Sequence, residues 1–277
     1  MNPEFTIVIP VFNDVALFQR ALNSVLCQDF DDFDIVVADD STTDDIEQFI
    51  SAGLSSVENP RQIPIHYLHN KPSLGAVPNW NQGMHQASGR HIIVMHHDEA
   101  MGNEHHLTAV HKQLEQGSDI VVSGIRVFVS NEESTAQPLC LSEKKRHFPP
   151  CVVRFFLRHP AFLFLANPIG PCACVAFRKE LMQDFDTRLH WLVDVEWYYR
   201  MLRHRKVVYD DSTHIHSIHG HKGQITSRTN IPDAFRKDKK VLLQRYRYSA
   251  AHLMLVLQQL CIIFPKCIIN RIKGNKI

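Results

Sequence analysis

Four short apolar runs, each of the first three followed by a stretch with helical spacing, constrain this chain more than any other feature. Phe5 to Pro10 (FTIVIP), Asp34 to Ala38 (DIVVA), Pro64 to Leu68 (PIHYL) and His91 to Met95 (HIIVM) are brief, continuous and rich in β-branched residues. Those traits mark buried strands. Between them, Val15 to Leu26, Thr43 to Ile50 and Ala76 to Ala87 space their apolar residues for helices and begin with polar or proline-bearing turns. A βαβαβαβ order predicts a mostly parallel sheet covered by helices over the first ~100 residues. Ligands of such sheets sit beyond the carboxyl ends of the strands.

Those ends carry the unusual residues. Strand one ends in PVFN (10–13), strand two in ADDST (38–42), strand three in HNKPSLG (69–75) and strand four in VMHHDEAM (94–101). A helix N-terminus accounts for Ser41 to Asp45, with a hydroxyl cap and acids favouring the dipole. It does not require Asp39 and Asp40. None of the 11 glycines lies two positions from another, so neither a G-x-G-x-x-G turn nor a P-loop is present. If phosphates are bound here, a hard divalent cation on one or two carboxylates is the natural substitute.

The remaining composition narrows the class. With 277 residues, 44% of them hydrophobic, the chain can bury one large domain plus an extension. The stretch before Phe5 has no signal-like character, which places the expected location in the cytoplasm. Seven scattered cysteines lack zinc-ribbon spacing and read as reduced core thiols. A net charge of +1 hides an asymmetry: Arg236 to Ile277 holds ten Lys/Arg and one acid, against 20 bases and 28 acids elsewhere. Leu242 to Ile263 is too interrupted by polar residues to span a bilayer, for which ~20 apolar residues are needed. It reads either as an interfacial segment for an anionic membrane surface or as a helix packed on the body with a solvated basic edge. No nucleic-acid module accompanies the charge.

The ordered motifs TIVIPVFND, SVLCQDFDDFDIVVADDSTTD and NKPSLGAVPNWNQGMHQASGRHIIVMHHDE resemble the nucleotide-binding half of family 2 glycosyltransferases. The resemblance implies a GT-A, Rossmann-like fold over 1–230, with a nucleotide-binding half (1–102), an acceptor half (103–230) and a helical extension (231–277). It implies that Asp40, with Asp39 beside it, meets the nucleobase in a pocket lined by Pro10, Val11, Asn13, Asn70 and Gly75. It places a Mn²⁺ or Mg²⁺ ion on Asp98 with His97 as neighbour; Glu99 reads either as a metal or ribose contact or, with His96, as part of an exposed loop. His105, His106 and His111 read as a helix surface.

PIGPCACVAFRKELMQDFDTRLHWLVDVEWYYRML (168–202) is similar to the family's acceptor segment and puts Asp194 at the general-base position. Val193 stands where the family has a glutamate, and Glu196 is the candidate assistant. HIHSIHGHKGQITSR (214–228) resembles the family's loop over the donor diphosphate, with His219 first and His221, Lys222 and Gln224 as further phosphate or acceptor contacts; the alternative is an exposed strand with histidines spaced by two. The implied activity is inverting transfer from a nucleotide sugar, a UDP-sugar first, to a hydroxyl of a glycan or lipid-linked saccharide at the inner face of a membrane. A sugar nucleotidyltransferase, which expects a G-x-G loop, and a non-catalytic binding module are the alternatives.

Overall fold

A computed structural model describes residues 2–52, 59–130, 141–144, 148–220 and 230–258. The four expected strands form as β1 (Phe5–Val11), β2 (Phe33–Asp39), β3 (Ile65–His69) and β4 (His91–Val94). They pair in parallel in the spatial order β3-β2-β1-β4. β1 and β2 are buried along their whole length, which is why they read as unbroken apolar runs instead of alternating ones. The helices α1 (Val15–Leu26), α2 (Asp45–Ser51) and α3 (Ala76–Gln86) connect them. Asp14 starts α1 by accepting a hydrogen bond from the Leu17 amide, and Leu17, Phe18, Ala21, Leu22 and Val25 present one apolar stripe to the sheet.

The sheet then continues with strands from the second half. After β4 come β5 (Glu99–Met101), α4 (His106–Glu115), β6 (Ile120–Ser130), β7 (Leu141–Lys144), α5 (Pro150–Arg158), β8 (Val175–Arg178), α6 (Val193–Leu202), β9 (Val207–His219), α7 (Ile231–Arg245) and α8 (Ala250–Gln258). From β4 the order runs β8-β6-β9-β5, with β7 on β6. β8 is antiparallel to both β4 and β6, whereas β9 runs parallel to β6. β5 lies antiparallel to the end of β9, through Glu99 opposite Ser217 and Met101 opposite Ile215. The turn after β4 is thereby stitched to the carboxyl end of β9.

Three expectations change. The histidine-rich stretch from His214 is not a loop: β9 continues to His219, paired with β6 beyond a register shift at Ser123/Gly124, with Thr213, Ile215 and Ser217 turned inward. The expected contacts His221, Lys222 and Gln224 lie outside the described residues. Residues 231–258 are not a detached interfacial segment, because Leu242, Ala251, Met254 and Leu255 enter the same core as the sheet. The packed-helix alternative holds for that part; 259–277 lie outside the described residues. Finally, the cysteines divide: Cys172 and Cys174 are buried but Cys27 and Cys151 are exposed.

His106 departs from its expected place on a helix surface. It is buried at the start of α4 with Nδ1 lacking a hydrogen-bond partner. Burial lowers its pKa from 6.5 to about 4, with Asp210 opposing and His214 adding to the effect. The unfolded chain therefore binds a proton at this residue below pH ~6.5 while the folded chain stays neutral until about pH 4, so stability falls as pH drops through that window. Between pH 7 and 5 this one group removes ~2 kcal/mol, at about 1.4 kcal/mol per unit. In His106→Gln, urea denaturation at the two pH values is expected to show a difference smaller by that amount; an unchanged difference means the loss originates elsewhere.

Candidate active site

The carboxyl ends of β1, β2, β3 and β4 meet, as the strand order requires, and their polar residues are held mainly by one another. Asp39 and Asp40 are both buried. The Asp39 carboxylate accepts from the Ser41 amide and from the Tyr67 hydroxyl. Asp40 is the more heavily used. Its Oδ1 accepts from the Leu74 amide (2.7 Å) and Asn70 Nδ2 (3.1 Å), and its Oδ2 from the Ser73 hydroxyl (2.6 Å) and the Gly75 amide (2.8 Å). A carboxylate offers about four acceptor positions. All four are taken by the 70–75 turn, so Asp40 anchors that turn, and a direct contact with a nucleobase would have to displace one of these donors. Asn70 also donates to Asn79, which in turn donates to the Ala38 carbonyl. Gly75, at φ 91°, makes the turn into α3 in a region that favours glycine.

The opposite wall comes from β1. Asn13 sits in the left-handed region at φ 57°, donates its amide to the Ser41 hydroxyl and accepts from the Thr42 amide. The carbonyl of Val11 accepts from the Asp40 amide, and that of Pro10 from the His97 amide. Pro10, Val11, Asn13, Asp39, Asp40, Asn70 and Gly75 thus do come together, but as a wall whose carboxylates are already bonded. Asp40→Ala leaves two backbone N–H groups, a hydroxyl and an amide without their acceptor, for a loss of ~2–4 kcal/mol in urea denaturation. Because the damage is to the wall, UDP and CDP affinities are expected to fall equally; loss confined to UDP would restore the direct contact.

Beyond β4 the chain turns tightly, closed by the Glu99 amide donating to the His96 carbonyl. That turn decides which residues share a side. His96, Asp98 and Glu99 bring ligand atoms within 4.8 Å of one another. His97 is not in this group: its ring Nδ1 lies 3.4 Å from the Pro10 carbonyl, toward the β1 wall. His96, not His97, thus lies with Asp98 and Glu99, in a cluster that the expected Asp98–His97 pair did not include. Glu99 is buried, bonded to the His96 amide (2.9 Å) and facing its ring (3.4 Å); burial raises its carboxyl to about 7, with His96 pulling the other way. Two carboxylates and an imidazole suit a divalent cation such as Mn²⁺, so the residues present fit the metal.

Asp194, second residue of α6, faces the same cluster. Its Oδ1 is covered and has no hydrogen-bond partner, and burial raises its pKa while His96 lowers it. Cys172 packs between them, its Sγ 3.7 Å from His96 Nδ1 and its thiol pushed up to about 12 by burial. At neutral pH it is an uncharged neighbour. Glu196, the expected assistant, points elsewhere: it is fully buried and bound by Arg200, Arg245 and the Tyr246 hydroxyl. It is a structural clamp. His219 ends β9 beside the cluster, because the Ile218 amide donates to the Asp98 carbonyl.

Three neighbours escaped the sequence reading. Trp80 of α3 packs against the His96 ring, the ring centres 4.5 Å apart and the planes tilted by 55°. Cys172 was read only as a core thiol. Arg20 of α1 is largely buried, has Nη1 without a hydrogen-bond partner, and interacts electrostatically with Asp98. Its signal was present, a basic residue beside the buried stripe of an amphipathic helix.

Known proteins resemble this chain in sequence and in fold. A 99-residue stretch is 27% identical to the GalNAc(5)-diNAcBac-PP-undecaprenol beta-1,3-glucosyltransferase of Campylobacter jejuni, covering 36% of this chain and 31% of that protein. A 149-residue stretch is 22% identical to the glycosyltransferase GlyG of Streptococcus pneumoniae, covering 52% of this chain and 48% of that protein. The chain spans less than two thirds of the length of the curated relatives it matches. Among solved structures, S. aureus TarS 1-349 in complex with UDP-GlcNAc superposes with a TM-score of 0.60 at 17% identity, over 92% of this chain and 71% of that one. The mannosyltransferase PcManGT of Pyrobaculum calidifontis, in complex with GDP-Man and Mn²⁺, gives 0.65 at 15% identity, over 94% and 71%. These neighbours establish the GT-A fold. The Glycosyl transferase family 2 model matches residues 6–186, well over half of the chain, and the protein belongs to that family.

Proposed function

We propose that the chain transfers a glycosyl group, with inversion, from a nucleotide-sugar donor, a UDP-sugar first, to a hydroxyl of a glycan or lipid-linked saccharide. The carrying observation is the Asp194 oxygen, covered and without a partner, facing a cluster of two carboxylates and a histidine at the strand ends of a family 2 chain. TarS bound to UDP-GlcNAc and PcManGT bound to GDP-Man support a nucleotide-sugar donor. The undecaprenol-linked name of the C. jejuni relative supports a lipid-linked acceptor, and with it a peripheral position at a membrane. No described helix is long and apolar enough to cross one.

Inverting transfer needs an acceptor hydroxyl to lose its proton as it attacks the anomeric carbon from the face opposite the leaving nucleotide. Asp194 is the group placed to take it. Its apolar cover, Tyr198 and Cys172 among its electrostatic neighbours, keeps competing water away and leaves an acceptor lone pair for the incoming hydroxyl. His96, Asp98 and Glu99 would hold the divalent cation. When bound, it neutralises the charge developing on the leaving diphosphate and so replaces a general acid. Arg20 adds a fixed positive charge beside Asp98, and His219 closes the carboxyl end of β9 over the same crevice.

Asp194→Asn keeps the size of the side chain but cannot accept a proton. Donor affinity is expected to survive while acceptor-dependent release of nucleotide falls ~10² to 10⁴-fold. NMR of the product anomer on the same sample checks the stereochemistry; a near-normal rate in a folded variant removes Asp194 as base. Asp98→Ala is expected to abolish the Mn²⁺-dependent part of UDP binding in calorimetry. Unchanged affinity there would take the metal away from this cluster.

A further inference from the structure

A second cleft, of about 950 Å³, opens at the other end of α6. Its walls come from α5, the residues after α6, the start of β9 and the start of α8. Arg203 to Arg205 follow the last turn of α6, roughly 13 Å along the helix axis from Asp194 at 1.5 Å per residue. The cleft is therefore separate from the candidate active site, and nothing argued about donor or base enters its description.

Its lining has one sign of charge. Arg154, Arg158, Arg203 and Arg205 contribute guanidinium groups, His159 and His204 add imidazoles, and none of the lining residues is acidic. Among the described residues none of the four arginines forms an ion pair with a carboxylate. Two rest on aromatic faces instead, Arg154 5.7 Å from the Tyr209 ring centre and Arg203 5.1 Å from that of Tyr199. Of the two acids that follow Tyr209 on β9, Asp210 is turned to the other face of the sheet, where Gln113 of α4 donates to it, and Asp211 is exposed and acts electrostatically on Tyr209 at the edge of the cleft without pairing with an arginine. Buried or half-buried apolar residues, Leu157, Phe162 and Leu202 among them, form the floor.

The rim is apolar and exposed. Among the described residues, Phe155 (44%), Leu253 (54%) and Tyr248 (86%) are three of the five large hydrophobic residues that stand out into solvent, and all flank this cleft. Phe155 packs on the lining Phe162 at 5.1 Å, Tyr248 precedes the lining Ser249, and Leu253 lies one helical turn beyond the lining Ala250. Uncompensated arginines within a ring of exposed aromatic and aliphatic side chains match the two layers of a membrane interface, phosphate above acyl chain. A soluble anion would use the arginines but not the rim.

We propose that this cleft seats the phosphate headgroup of an anionic lipid, with Phe155, Tyr248 and Leu253 entering the interface around it. The body of the protein, not only its basic C-terminal stretch, then docks on the membrane, with Asp194 at the far end of α6. Each basic group near an anionic surface contributes ~1 kcal/mol, so losing two weakens partition about 30-fold.

The test is sedimentation of the full chain with vesicles of phosphatidylcholine alone or mixed with phosphatidylglycerol. Wild type is expected to bind only the anionic vesicles, and Arg203→Gln/Arg205→Gln to bind them about 30-fold more weakly. Phe155→Ser/Leu253→Ser is expected to lose binding while all arginines remain. Thermal melting checks that each variant folds, and Arg154→Gln/Arg158→Gln carries the same expectation should the first pair fail to. Calorimetry with inorganic phosphate separates the sources. Saturable, arginine-dependent phosphate binding without any effect of the variants on vesicle partition overturns the lipid assignment, as does equal binding to neutral vesicles. Loss of partition confined to Lys266→Gln/Arg271→Gln/Lys273→Gln/Lys276→Gln overturns it in favour of the C-terminal stretch.

Discussion

Parallel strands that end in a closed crevice must satisfy their last polar groups without water, and this chain does so by bonding each end to its neighbour. The Asp40 amide bonds the Val11 carbonyl, the Asn70 amide the Asp39 carbonyl, the His97 amide the Pro10 carbonyl and the Ile218 amide the Asp98 carbonyl. Those four bonds fasten β2 to β1, the turn after β3 to β2, the turn after β4 to β1, and β9 to the turn after β4. The Asp40 carboxylate then gathers the 70–75 turn onto the same framework. A buried donor or acceptor left unmade costs ~1–3 kcal/mol, so the bonds are mutually enforcing. The pocket wall is preorganised for that reason, and a ligand entering it meets groups already fixed in place.

What could be read from the sequence follows from where the hydrophobic signal is strong. β1 to β4 are short, continuous and β-branched because helices cover both faces of a parallel sheet, and all four were legible. β5 was not, since Glu99–Met101 is too short to show any period and its polar first residue is buried by pairing with β9. The second half of β9 was legible only as an alternative to a loop, because His214, His216 and His219 mask the alternation of Thr213, Ile215 and Ser217. At the candidate site, Asp98 and Asp194 were singled out by their place in motifs that resemble family 2 glycosyltransferases, and both lie near His96 in the fold. That His96 joins Asp98 and Glu99 was not legible, because it depends on one turn hydrogen bond, from Glu99 to His96, that has no signature in composition.

Asp39 and Asp40 carry bonds that residue type does not announce. Asp39 accepts from the Ser41 amide and Asp40 from the Leu74 and Gly75 amides, and only the fold of residues 70–75 brings the latter two within reach. His106 is a further case, a polar residue whose spacing on α4 read as surface while packing against the sheet buried it.

α6 shows how the extension becomes part of the site's frame. Residues two apart on a helix point about 200° away from each other, so Asp194 and Glu196 cannot serve one acceptor. Asp194 faces the crevice, and Glu196 is locked from behind by Arg200, Arg245 and Tyr246. Asp238 of α7 accepts from the amides of His190, Trp191 and Leu192, the residues that lead into α6, and so places a negative charge at that helix's N-terminus. Arg245 also pairs with Asp186, whose carboxyl is held down to about 2 chiefly by Arg188. Fixing Asp194 therefore falls to residues some 40 to 50 positions later in the chain. Part of the positive charge that made this extension look like a membrane tail is neutralised in doing so, and only loss of both Arg200 and Arg245 would leave the buried Glu196 as an uncompensated charge costing about 3–5 kcal/mol.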